Sequence, residues 1–132
     1  MPDRPNPPHP GLPGYKFAQA LLIGYWLALV IATHVPSDFP GVPGDHWDKV
    51  VHGGAYALLA ALFATTWQLA SGELMFRHLR AAWLVLIFYG ALDEWTQSLV
   101  GRDANLFEWL ADVAGAAMGL AVFVWVKRRY AK

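Results

Sequence analysis

"KVVHGGAYALLAALFATTWQLA" (residues 49–70) decides the fold, because it is long and apolar enough to cross a bilayer yet opens with a base, an imidazole and a phenol. At about 1.5 Å of rise per residue, some 20 apolar residues span a hydrocarbon core roughly 30 Å thick. Three further windows meet that description: "KFAQALLIGYWLALVIATHV" (16–35), "RAAWLVLIFYGALDEWTQSL" (80–99) and "LFEWLADVAGAAMGLAVFVWV" (106–126). Together they predict an all-α, four-helix transmembrane bundle. Composition agrees, since 56% of the 132 residues are hydrophobic and only 15% charged, too little polar surface to cover a soluble bundle of the same helices.

Three regions follow from this reading. Residues 1–15, "MPDRPNPPHPGLPGY", are rich in proline and lack a charged segment leading into a short apolar core, so they read as a disordered tail and not as a cleaved signal. Residues 16–126 form the membrane domain, and 127–132 a basic tail. The absence of cysteine excludes disulfides and thiol chemistry. The terminal "KRRYAK" is suited to anionic lipid, and nothing beside it points to nucleic acid.

Charge sets the orientation. Arg4, Lys16, Arg77, Arg80, Lys127, Arg128, Arg129 and Lys132 lie at one end of the up-and-down arrangement, which the positive-inside rule assigns to the cytoplasm together with both termini. Of the acids only Asp3 and Glu73 share that end. Asp38, Asp45, Asp48, Asp93, Glu94, Asp103, Glu108 and Asp112 belong to the outer half, beside Lys49 and Arg102. A formal net charge of zero therefore hides a dipole of about plus six inside and minus six outside.

Helical spacing gathers these groups. Lys49, His52 and Tyr56 fall on one stripe, as do Gly90, Glu94 and Gln97 in the third window and Glu108, Asp112, Gly115 and Gly119 in the fourth. The two glycines form a small-xxx-small pattern suited to close helix contact. An ionisable side chain turned to lipid costs roughly 3 kcal/mol or more. The last three helices are therefore expected to converge, with Lys49 and Arg102 near Glu94, Glu108 and Asp112, and with His52 and Gln97 completing one outward-facing polar pocket.

Other polar and aromatic residues have simpler readings. His34 is expected to end the first helix before Pro36 and to be solvated, as are His9 and His78. Trp47, Trp83, Trp95, Trp109 and Trp125 read as an interfacial belt. His52 with Glu94 and Asp112 offers one imidazole and two carboxylates, but no His-x-x-x-His or Glu-x-x-His spacing accompanies them, so neither a metal nor another cofactor is expected.

The order "DKVVHGGAYALLAAL" followed by "YGALDEWTQSLVGRDANLFEWLADVAGAAMG" resembles the VanZ-like family of small bacterial membrane proteins. Asp48, Lys49, His52, Tyr56, Glu94, Gln97, Arg102, Asp112, Gly115 and Gly119 match its pattern, and Glu108 stands where that pattern has Asp. The resemblance covers about residues 45–119. It implies a multi-pass protein of the bacterial cytoplasmic membrane acting at the cell envelope, and through the founding member a link to resistance to the glycopeptide teicoplanin.

Three uses of the pocket are open at this stage. It can bind or act on an envelope component, such as a lipid-linked saccharide precursor or a glycopeptide, with Glu94 or Asp112 as base, His52 as acid or base, and Lys49 with Arg102 holding an anionic group. It can carry protons as a small coupled transporter, for which a homodimer would supply the path. Or it can be a buried ion-pair clasp that fixes helix order in a structural or scaffolding protein.

Overall fold

Four helices account for the computed structural model, which describes residues 14–34, 45–101 and 104–130. They are α1 (Tyr15–His34), α2 (Asp45–Ser71), α3 (Phe76–Gln97) and α4 (Leu106–Tyr130), with a single 3-10 turn at Ser98–Val100 after α3. Among the described residues there is no strand. α1, α2 and α4 are long and apolar enough to cross a membrane. α3 is not among them because Arg77 and Arg80 near its start and Asp93 and Glu94 near its end dilute its apolar character.

The helix ends have local causes. α2 stops where Gly72 takes a left-handed φ of 85° and its N–H bonds the Gln68 carbonyl at 2.8 Å, a conformation that side chains disfavour. α3 starts with a reciprocal cap: the Met75 N–H donates to His78 Nδ1 at 2.9 Å, and the His78 N–H returns to the Met75 carbonyl at 2.9 Å. The His78 ring also lies 5.6 Å from Trp67. His78 is thus a half-buried cap and not the solvated residue expected.

The boundaries differ from the sequence reading by four residues at the starts of α2 and α3 and at the end of α4. α2 begins at Asp45, four residues before the apolar window, so that "DHWD" forms its first turn. α4 runs to Tyr130, so Lys127, Arg128 and Arg129 occupy its last turn, where cations complement the helix dipole. Residues 1–13, and with them His9 and most of the expected tail, lie outside the described residues.

Packing is tightest between α2 and α4. Gly115 lies against the backbone of Gly53, and Gly119 against the backbone of Ala57, so closely that a β-carbon at either position would collide with main chain. This is the contact expected of the small-xxx-small pattern. Below it, Leu59, Ala60, Ala64, Ala82, Leu86 and Ala116 form the buried apolar core. Trp26 meets Tyr89 edge-on at 4.9 Å and thereby helps to fasten α1 to α3.

The outer surface is the more apolar one. Phe17, Leu27, Ile31, Phe88 (74% exposed) and Val122 point away from the bundle, while Asp93, Glu94, Glu108 and Asp112 are buried within it. Water as solvent would favour the reverse arrangement.

Candidate functional site

The polar network forms where the end of α1, the start of α2, the end of α3 and the start of α4 meet. Helical phase places His52, Glu94, Glu108 and Asp112 inward, and all four are buried. His52 Nδ1 stands 3.2 Å from Asp112 Oδ1, and His52 Nε2 stands 3.5 Å from Glu108 Oε2. One imidazole therefore lies between two carboxylates of α4, a full helical turn apart.

Asn105 organises this end of α4. Its Oδ1 accepts the Phe107 N–H at 2.9 Å, as an N-cap should, and its Nδ2 donates to Glu108 Oε1 at 2.7 Å. The Asn105 N–H donates to Glu94 Oε2 at 2.8 Å and ties the α3 carboxylate to the start of α4. Asn105 was not among the residues anticipated. Its signal was the Asn-x-x-Glu of "NLFE", a helix-start pattern that gives no hint of the bond to Glu94.

A second cluster lies one residue away on α3 and differs in kind. Asp93 Oδ1 accepts from Thr33 Oγ1 at 3.2 Å, and Asp93 Oδ2 accepts from Gln97 Nε2 at 3.0 Å. His34 Nδ1 lies 2.9 Å from the Val30 carbonyl, and its Nε2 lies 2.9 Å from Thr96 Oγ1. His34 ends α1 as expected but is not solvated, because these bonds hold it against α3. Gln97, expected beside His52, belongs to Asp93 instead: its amide reaches back one turn along its own helix.

The two clusters are unequally satisfied. Both oxygens of Asp93 have partners. By contrast Glu94 Oε1, Asp112 Oδ2 and the Tyr56 hydroxyl are buried without a hydrogen-bond partner among the described residues. Tyr89 Oη and Gln68 Oε1 are in the same condition. Tyr56 is fully buried, stacked on Tyr89 with ring centres 6.0 Å apart, and its ring and hydroxyl approach Gly90.

The other expected residues fall as follows. Asp48 is half-buried and shares a carboxylate–imidazole group with His52 and Glu108. Lys49 is half-buried on the α2 stripe. Arg102 lies outside the described residues. Of the tryptophans, Trp47, Trp95 and Trp125 are exposed as a belt requires, whereas Trp83 and Trp109 are turned inward. Their indole N–H groups donate to the carbonyls of Val113 at 3.1 Å and Ile87 at 3.2 Å, joining α3 to α4.

At the opposite end the chemistry is sparse. Lys127 Nζ donates to Glu73 Oε1 at 2.8 Å, and that hydrogen bond with its attendant charge holds the Glu73 carboxyl below its usual range. A groove of about 930 Å³ opens there between α3 and α4, walled by Leu79, Trp83, Phe123 and Val124, with Arg80 and Arg128 among its lining; it includes no member of the network.

Chemically, the network offers one imidazole and several carboxylates enclosed by apolar helices, a set able to exchange protons or to hold a cation. His52, Glu94 and Asp112, the expected acid–base candidates, are brought within reach of one another: each offers a ligand-type atom, all lying within 4.8 Å. No family model matches the chain, and no curated protein or solved structure matches it either.

Proposed function

We propose that the chain is a four-span protein of the VanZ-like type in the bacterial cytoplasmic membrane, with both termini inside and an outward-facing polar pocket that binds an envelope component. α3 serves as the fourth span, since its two acids are turned into the bundle and do not meet lipid. Membrane lipids cover the apolar exterior. A lipid-linked precursor or a glycopeptide is the class of ligand that the family resemblance suggests, with His52, Glu94 and Asp112 as the acid–base candidates.

The observation that supports a binding pocket is the incomplete bonding around His52. A purely structural clasp gains nothing from buried oxygens left unpaired, each of which costs about 1–3 kcal/mol. Those at Glu94, Asp112 and Tyr56 suit groups awaiting a partner. The clasp reading fits the Asp93 cluster, where the oxygens are paired, and we assign that cluster to fixing α1 against α3.

Expression in a susceptible bacterium tests the reading. Wild-type protein is expected to raise tolerance to teicoplanin, and Glu94→Gln and Asp112→Asn to abolish the gain at equal membrane abundance. Tolerance unchanged by wild-type protein would remove the resistance link. Tolerance retained by both variants would remove the pocket from the function.

A further inference from the structure

We infer that His52, Glu94 and Asp112 bind one divalent transition-metal ion, with His52 Nδ1 as its nitrogen ligand. This deepens the pocket reading above and rests on it. The three side chains come from α2, α3 and α4, and their nearest ligand-type atoms all lie within 4.8 Å of one another, so that modest side-chain rotation brings them to the roughly 3.4 Å separations of one tetrahedral shell.

The spacing is compatible with an ion. Ligand atoms bound at about 2.1 Å in a tetrahedron stand about 3.4 Å apart. The His52 Nδ1 to Asp112 Oδ1 separation, at 3.2 Å within hydrogen-bond reach, also lies close to that edge.

Unpartnered atoms supply the second and independent indication. Glu94 is 6% exposed and Asp112 1%, yet Glu94 Oε1 and Asp112 Oδ2 have no hydrogen-bond partner among the described residues. Both belong to the proposed ligands. An ion held by Glu94 Oε1 and by both oxygens of Asp112 would satisfy each, and its double positive charge would balance the two carboxylates beside a neutral imidazole.

The surroundings hold the ligands as metal sites require. A metal-bound histidine usually gives its other N–H to a carboxylate, which fixes the tautomer. Here His52 Nε2 faces Glu108 Oε2 at 3.5 Å, so that with an ion on Nδ1 the ring proton would sit on Nε2, toward that carboxylate. Asn105 anchors both supports, donating its side-chain N–H to Glu108 and its backbone N–H to Glu94 Oε2, which leaves Glu94 Oε1 for the ion. Asp48, His52 and Glu108 form an alternative group on the Nε2 side, but Asp48 is only half-buried and no unpartnered oxygen is found there.

One imidazole nitrogen with two carboxylate oxygens suits Zn²⁺ or Mn²⁺. Mg²⁺ is the poorer fit, because it sheds water reluctantly and prefers oxygen donors. Three protein ligands also leave a coordination position for water or for an oxygen of the pocket's ligand.

The test uses the full chain purified in detergent, stripped with a chelator and then supplied with Zn²⁺ or Mn²⁺ alone. Bound metal is measured after gel filtration, and the thermal midpoint with and without the ion. Wild type should retain about one equivalent and melt higher with the ion. Glu94→Gln and Asp112→Asn should weaken binding at least about 100-fold, and Asn105→Ala, which keeps all three ligands, about 10-fold. Glu73→Gln, at the far end, should bind as wild type does. Because His52→Gln could unfold the protein, Co²⁺ loaded into wild type provides a separate readout: visible absorption of a nitrogen–oxygen site, displaced by Zn²⁺. Substoichiometric binding by wild type, or equal binding by the Glu94 and Asp112 variants, would overturn the metal site. If wild type binds no ion but Glu94→Gln still abolishes tolerance, the metal fails and the pocket stands; if the ion binds while tolerance never changes, the envelope role fails and the metal stands.

Discussion

Asp93 and Glu94 are neighbours on α3, both acids and both buried, yet their surroundings assign them opposite roles. Asp93 has a partner for each oxygen, so Asp93→Asn turns an N–H toward either Thr33 or Gln97 and should destabilise the protein by about 1–3 kcal/mol. Glu94→Gln keeps an oxygen for the Asn105 N–H and removes a charge from a carboxylate-rich site. In chelator-treated protein it should leave stability unchanged or raise it, at the expense of function. Thermal midpoints of the two variants in one detergent check this; a large fall for Glu94→Gln would make the His52 cluster a clasp. The sequence disclosed Glu94 because spacing linked it to Gly90 and Gln97. It did not disclose Asp93, since an adjacent residue lies about 100° around the helix and its partners on α1 are some 60 residues distant in the chain.

At the scale of helices, the glycines of α4 set how closely α2 can approach. A methyl at Gly115 or Gly119 meets the backbone of Gly53 or Ala57, and backbone cannot swing aside as a side chain can. Either Gly→Ala change should cost about 1–3 kcal/mol or more through overpacking and should loosen His52 from Asp112. Gly54→Ala is the control, since nothing lies within 4 Å of its β-carbon and a helix prefers alanine by about 1 kcal/mol. Melting of these variants in detergent separates steric cost from propensity: equal effects at Gly54 and Gly119 would mean that α2 and α4 are not in close contact. Helix existence and this seam were legible because apolar length and small-residue spacing are local signals. The inward turn of Trp83 and Trp109 was not, because an indole near a helix end has the same sequence signature whether it meets headgroups or a neighbouring carbonyl.

Across the whole molecule, the two ends differ in chemistry and therefore in what they can report. The Glu73–Lys127 pair is exposed at the basic end, and its carboxyl is held low. Whatever stability it adds is present above the ordinary glutamate range and is lost as pH falls through the lowered value; salt should screen it, and Glu73→Gln should leave the melting curve at neutral pH nearly unchanged. The opposite end carries the buried network, and the outward orientation proposed for it rests on the distribution of cations alone. Because the chain contains no cysteine, single cysteines can be introduced without altering a background residue. Ser98 is exposed just beyond α3, and Ser71 is exposed at the end of α2, so they mark opposite ends of the bundle. With an impermeant maleimide on intact spheroplasts, Ser98→Cys should label at once and Ser71→Cys only after permeabilisation. The reverse pattern would turn the bundle over, place the carboxylate-rich pocket in the cytoplasm, and remove the outer leaflet as its source of ligand.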